Sequence, residues 1–237
     1  MLVIGHRGAA GLAPENTIEA IAAAITAGAD IIEVDVRLTK DGELIVIHDA
    51  RLSRTHKHRD SVASLTLEQI RERTKDKPVP LLTEVLDEFF GVTLLNIEIK
   101  SRGAAVKVLK LLKKKYIHKA SDWDNVIISS FMAYELVGTR RIAPKANLAL
   151  LHSRNPFIFI AYHRFLRFTA VGFHRLYLNK FALEIAHRAG LFTYVYTVNR
   201  PGAIKHLADQ GIDGVVTNYP DKFNSALQRE LVLNKKK

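Results

Sequence analysis

The sequence predicts a (β/α)8 TIM barrel, and three observations carry that expectation. The chain has 237 residues, close to the roughly 250 of one such barrel without large insertions. Short apolar runs alternate with helical patterns along its length, the mark of a mostly parallel sheet. Of nine candidate strands, one follows its predecessor too closely for a parallel crossover, which leaves eight for a closed barrel.

In chain order, the first strand is Leu2–His6, followed by a helix over Asn16–Ala27. Asn16 with Glu19 three residues on reads as a capping box, and equally as part of a site-lining Pro14-Glu15-Asn16 segment. The second strand, Ile31–Val36, is joined to Leu44–His48 by a link with an Asp41-Gly42 turn and no room for a helix. Leu44–His48 is therefore expected to fold back antiparallel as a β-hairpin after strand 2. Residues 49–80 form a polar excursion rich in Arg, Lys and His, read as a small cap or insertion with a short helix at Leu67–Arg73. Strands are expected next at Leu94–Ile99, Val126–Ser130, Leu148–Leu151, Ala170–His174, Phe192–Val198 and Gly214–Thr217. Helices are expected at Leu82–Phe90, Gly103–Tyr116, Ala133–Ile142, Phe157–Arg167, Lys180–Ala189 and Pro201–Gln210. Residues 1–230 are read as one domain and 231–237 as a basic C-terminal tail.

The net charge of +11, from 35 Lys and Arg against 24 Asp and Glu, favours anionic partners without naming one. Lys107, Lys110, Lys113, Lys114 and Lys115 read as a solvated helix face. No nucleic-acid-binding signature accompanies the charge. With no cysteine, disulfides and thiolate metal sites are excluded. No secretory signal precedes the first strand, so the cytoplasm is the expected location. The apolar stretch Phe157–Phe168 is broken by His163, Arg164 and Arg167 and falls short of the roughly 20 residues of a spanning helix. Its large apolar residues fall on nearly every side of a helix, which calls for a second subunit, a membrane or acyl chain, or burial under a loop.

Period two places Glu33 and Asp35 on one face of their strand, opposite Ile32, Val34 and Val36. It does the same for Asn96, Glu98 and Lys100 against Leu95, Ile97 and Ile99. In a barrel the polar faces point inward near the C-terminal rim, where such folds keep their active sites. Three converging carboxylates call for compensation. A hard divalent cation, Mg2+ or Ca2+, would supply it, and so would an ion-pair network with Arg7, Arg37 and Lys100. His6 and His48 end their strands near the same rim; together they can divide proton transfer, and singly either fits a core or turn residue. His152 and His174 follow two later strands and are weaker candidates for substrate contact.

The ordered set His6-Arg7-Gly8, Pro14-Glu15-Asn16-Thr17, Glu33-Val34-Asp35-Val36, Asp41-Gly42, His48-Asp49, Pro80-Leu81-Leu82 and Asn96-Ile97-Glu98-Ile99-Lys100 resembles the glycerophosphodiester phosphodiesterase family. Tyr196-Thr197-Val198-Asn199 and Gly214-Val215-Val216-Thr217-Asn218 are similar to its closing strands. The resemblance implies a phosphoric diester hydrolase that splits a small glycerophosphodiester into glycerol 3-phosphate and an alcohol. It implies a metal held by Glu33, Asp35 and Glu98, with His6 and His48 as general acid and base. Arg7, Lys100, Tyr196 and Asn199 fall to phosphate or substrate binding. A lysophospholipase-D-like activity and a non-catalytic anion-binding barrel are the alternatives. Tyr196, where the family often has Trp, and Asn218, where it often has Asp, are departures that bear on the alcohol pocket.

Overall fold

The computed structural model describes residues 1–234; the basic run Lys235–Lys237 lies outside them. The strands are β1 (Leu2–Gly5), β2 (Ile31–Leu38), β3 (Leu44–Val46), β4 (Leu94–Ile99), β5 (Val126–Ser130), β6 (Asn147–Leu151), β7 (Ala170–His174), β8 (Phe192–Tyr196) and β9 (Gly214–Thr217). All except β3 are parallel, and β1 pairs with both β9 and β2, which closes an eight-stranded barrel. β3 lies outside it, antiparallel to β2 with Val36 opposite Val46, as the short Asp-Gly connection demands.

The helices are α1 (Ile18–Thr26), α2 (Ser53–His56), α3 (Leu67–Arg73), α4 (Leu82–Phe89), α5 (Ala104–Lys115), α6 (Ala133–Ile142), α7 (Ile158–Leu166), α8 (Lys180–Arg188), α9 (Ile204–Asp209) and α10 (Pro220–Asn234). The longer helices that follow the barrel strands bury a stripe against them, whereas α2 buries no residue and α3 only Ile70, which joins a separate cluster. In α4 the stripe is Leu82, Val85, Leu86 and Phe89, the spacing of a single helical face. In α5 it is Ala105, Val108, Leu109 and Leu112, while the five lysines expected to be solvated are exposed. The stripes meet the outward strand residues Ile32, Val34, Leu95 and Ile97 in one continuous core. Truncating a member such as Leu112 to Ala would cost about 2–5 kcal/mol.

Inside the barrel, Ile4, Ile31, Ile127, Leu151 and Val216 pack together, so the interior is filled rather than open. The polar residues of β2 and β4 sit above this plug. Residues 49–80 form the expected insertion, and their Leu52, Val62, Leu65, Ile70 and Val79 cluster with Ile45 and Ile47. This small apolar cluster holds the insertion on the hairpin strand.

Three expectations change in detail. α1 begins after Asn16, whose φ of 58° is left-handed; Thr17 is the cap, accepting from Ala20 N at 3.1 Å. The segment expected as one helix at Pro201–Gln210 is a 3-10 turn, Pro201–Ala203, followed by α9. α10 was not expected, although Pro220 at its start and Asp221 in its first turn are ordinary initiation signals. In α7, Phe159 and Leu166 are buried, as is Phe168 beyond it, whereas Ile160 and Phe165 are exposed; burial accounts for one side of this helix only. Among the described residues no helix is long and apolar enough to cross a membrane.

Candidate active site

The site starts where β1 ends. His6-Arg7-Gly8 turns the chain inward over β2: Arg7 N donates to Glu33 Oε2 at 2.8 Å and Gly8 N to Glu33 O at 3.0 Å. Gly8 has φ +79°, and a Cβ there would stand 2.5 Å from the carbonyl carbon of Ala20. Only glycine fits so close to α1. His6 N donates to Thr217 O, and its ring Nδ1 lies 2.6 Å from Asn218 Oδ1. This places the imidazole between the first and last strands.

β2 and β4 run side by side with Asp35 opposite Glu98 and Glu33 opposite Asn96. Period two then brings Glu33, Asp35 and Glu98 to one interior spot, where an oxygen from each lies within 4.8 Å of the others, and all three side chains are buried. Lys100 Nζ is 2.5 Å from Glu98 Oε1 and 3.2 Å from Asp35 Oδ1, and Arg7 Nε is 3.3 Å from Asp35 Oδ2. Asn16 Nδ2 donates to Asp35 Oδ2 at 2.9 Å, and Asn16 Oδ1 accepts from Asp35 N at 3.1 Å. Asn16 therefore braces a site carboxylate and caps no helix.

Burial would raise the carboxyl of Asp35, but Lys100 and Arg7 hold it below the ordinary range. Burial pushes Glu98 up to about 7 against the pull of Lys100. Burial, reinforced by the charges of Asp35 and Glu98, drives Glu33 well above its ordinary value. Arg37, the remaining cation of an ion-pair network, donates instead to the carbonyls of His48 at 2.7 Å and Lys100 at 3.0 Å. Two cations thus face three acids, and Glu33 Oε1 is buried without a hydrogen-bond partner. A cavity of about 30 Å3 lined by His6, Glu33, Asn96, Glu98, Tyr194 and Tyr196 adjoins it. That is room for one water-sized body, and an oxygen-only donor set suits a hard divalent cation. The residues fit such an ion.

The hairpin returns to the same rim. Ile47 N donates to Asp35 O, which sets His48 one residue beyond the level of Asp35. His48 Nδ1 is 2.6 Å from Asp49 Oδ1. Asp49 Oδ2 accepts from Arg54 Nε at 2.6 Å, and Arg54 grips Glu15 with its two terminal nitrogens at 2.5 and 2.7 Å. Glu15 also accepts from Arg7 Nη1 at 2.9 Å. One chain of charge-assisted bonds therefore links both histidine turns through an arginine of the insertion. Burial lowers the imidazole of His6 to about 4, and the Arg7 charge adds to this against the Asn218 hydrogen bond. Burial also lowers His48, but the Asp35 charge and the Asp49 hydrogen bond oppose it.

Tyr196 packs edge-on to Phe131 at 5.7 Å, and its hydroxyl donates to the carbonyl of His152. Asn199 is exposed and directs Oδ1 to Asn218 N at 2.9 Å, holding the loop that carries the partner of His6. His174 is half-buried, and its Nδ1 accepts from Leu176 N. His152 is buried behind the rim with neither ring nitrogen partnered. Sequence reasoning passed over Arg54, Asn96 and Tyr194. Asn96 and Tyr194 had a signal in period two: Asn96 shares the inward face of β4 with Glu98, and Tyr194 the face of β8 with Tyr196.

Residues 6–222 match the sequence model of the Glycerophosphoryl diester phosphodiesterase family. A glycerophosphodiester phosphodiesterase of Caldanaerobacter subterraneus subsp. tengcongensis is 35% identical over 246 aligned residues, covering 96% of this chain and 98% of that protein. The crystal structure of a glycerophosphodiester phosphodiesterase from Thermotoga maritima superposes with a TM-score of 0.82 at 29% identity, over 95% of this chain and 97% of the other. An Oleispira antarctica phosphodiesterase solved with the product sn-glycerol-3-phosphate has a TM-score of 0.83 at 25% identity, over 96% and 97% of the two chains.

Proposed function

The chain belongs to the glycerophosphoryl diester phosphodiesterase family and is a phosphoric diester hydrolase, and we propose that it splits glycerophosphodiesters into glycerol 3-phosphate and an alcohol using a carboxylate-held divalent cation and two histidines. The observation that carries this reading is the buried set Glu33, Asp35 and Glu98, with Glu33 Oε1 unpartnered, flanked by two imidazoles each anchored through Nδ1.

Glu33, Asp35 and Glu98 would hold Mg2+ or Ca2+. Such an ion supplies charge neutralisation and Lewis acidity toward a phosphate oxygen. Arg7 and Lys100, already at the carboxylates, are placed to meet the remaining phosphate charge. Tyr196 walls the alcohol side, while Asn199 supports Asn218.

The two histidines differ in their partners. His6 leans on a neutral amide and is held neutral by burial, which suits a base. His48 leans on the carboxylate of Asp49, which with Asp35 opposes the lowering by burial, so of the two rings it is the better placed to carry a proton and serve as the acid. In the first step the substrate's 2-hydroxyl oxygen bonds to phosphorus as His6 takes its proton. The bond from phosphorus to the alcohol oxygen breaks as His48 protonates that oxygen, leaving a cyclic phosphate. In the second, water attacks phosphorus and gives its proton to His48, while His6 returns a proton to the 2-oxygen.

The test is hydrolysis of glycerophosphocholine, glycerophosphoethanolamine and glycerophosphoglycerol followed by phosphorus NMR with Mg2+ or Ca2+ added. Glycerol 3-phosphate is expected as the final product. No turnover with either ion, or full turnover after exhaustive chelation, would overturn the reading.

A further inference from the structure

Two strands that flank β2 leave its ladder just before the residues that carry the chemistry: β4 after Ile99 and β3 after Val46. Lys100 follows the first directly, and His48 follows the second after Ile47. One further backbone bond continues each run, Lys100 N to Val36 O and Ile47 N to Asp35 O. Among the described residues no backbone N–H then meets the carbonyl of Lys100 or of His48.

Arg37 meets both. Period two places it next after Glu33 and Asp35 on the polar face of β2, where it could have paired with an acid. Its Nε donates instead to His48 O at 2.7 Å and its Nη1 to Lys100 O at 3.0 Å. Asp35, Asp49 and Glu98 act on it through their charge, and among the described residues none of them bonds it. The guanidinium is flat and rigid, so its two N–H directions are fixed relative to each other. A single side chain therefore sets the spacing of two turns that no strand pairing joins. That spacing matters because the acid and the phosphate-binding cation must serve one and the same phosphate, and a misplacement of about 1 Å can cost about a hundredfold in rate.

Resting on the reading proposed above, we infer that Arg37 is the positioning residue that fixes the general acid His48 and the phosphate-binding Lys100 relative to each other, acting through their carbonyls and not on the substrate. Both acceptors are main-chain atoms. Replacing the side chain of His48 or Lys100 therefore leaves the Arg37 bonds in place, which allows each half of the role to be tested alone.

The experiment uses Arg37→Lys, which keeps the charge but can meet only one carbonyl at a time, beside Arg37→Met, which keeps only the stem. The substrates are glycerophosphocholine, whose alcohol must be protonated to leave, and the p-nitrophenyl ester of glycerol phosphate, whose phenolate need not be. Both variants should lower kcat about tenfold on the choline ester alone, through His48. Both should raise KM about three- to tenfold on the two esters alike, through Lys100. In a His48→Ala background either change should leave kcat within about twofold, and in a Lys100→Met background it should leave KM within about twofold, because the group acted upon is gone. A merely structural role would add the same loss in every background. Full activity of folded Arg37→Lys on both esters, or additive losses in both cycles, would overturn the inference. Calorimetric titration with glycerol 3-phosphate reads the Lys100 half without turnover, and crystal structures of the parent and Arg37→Lys read the displacement of the His48 turn. If neither ester is hydrolysed by the parent, the proposed function falls, and those two measurements still decide whether Arg37 holds the turns; unchanged affinity and an unmoved turn would remove it from that role.

Discussion

Arg54 belongs to the insertion rather than the barrel, and replacing it by Ala removes three charge-assisted contacts at once: one to Asp49 and two to Glu15. Such bonds contribute about 1.5–3 kcal/mol each when well shielded. Arg54 is 48% exposed, so solvent screening moves them toward the 0.2–1 kcal/mol typical of surface pairs. The expected total is about 1–2 kcal/mol, or a Tm lower by about 2–8 °C for a chain of this size. The catalytic effect should be more specific. Asp49 loses the guanidinium that fixes it, and the His48 ring loses its orientation. A general acid contributes about two to four orders of magnitude in all, and partial misorientation should take about one of them from kcat. The assay pairs a choline ester with a p-nitrophenyl ester of glycerol phosphate, because p-nitrophenolate leaves without protonation. The kcat loss should be confined to the choline ester. Arg54→Lys should restore little, since a single ammonium cannot replace the bidentate fork. Equal losses on both esters, or full rescue by Lys, would refute the chain of action through Asp49.

His48→Ala should lower kcat by about two to four orders of magnitude on the choline ester and far less on the p-nitrophenyl ester, whereas His6→Ala should lower both; the same pattern in both variants would remove the assignment of acid and base. Glu33→Gln should weaken Mg2+ or Ca2+ binding in a calorimetric titration together with activity, and unchanged affinity would take Glu33 out of the metal set. Glu98 is raised to about 7 from an ordinary 4.5 by burial, so its ionisation opposes folding: the stability it permits is complete below about 4.5 and lost as pH rises through about 7. In chelator, the Tm advantage of Glu98→Gln over the parent should therefore grow across that window, and an advantage flat with pH would contradict the shift.

What could be read from the sequence and what could not divide along a physical line. The barrel and its three acids were legible because period two is a local rule: once Ile32, Val34 and Val36 face the helices, Glu33 and Asp35 have no choice of side, and the pairing of Asp35 with Glu98 only sets their level. The hairpin was legible because a link through Asp41-Gly42 is too short to cross over. Long-range pairing was not legible. Glu15 and Arg54 meet across 39 residues and His6 and Asn218 across 212, and no periodicity encodes such partners. The same limit applies to Asn16, where a capping pattern was present but a left-handed backbone turned its amide to Asp35 instead. The two histidines resemble each other as letters, and their difference lies in a neutral amide on one and a carboxylate on the other. The proposed distinction between base and acid thus rests on Asn218 and Asp49, and on the insertion as well, since Arg54 holds the carboxylate of Asp49.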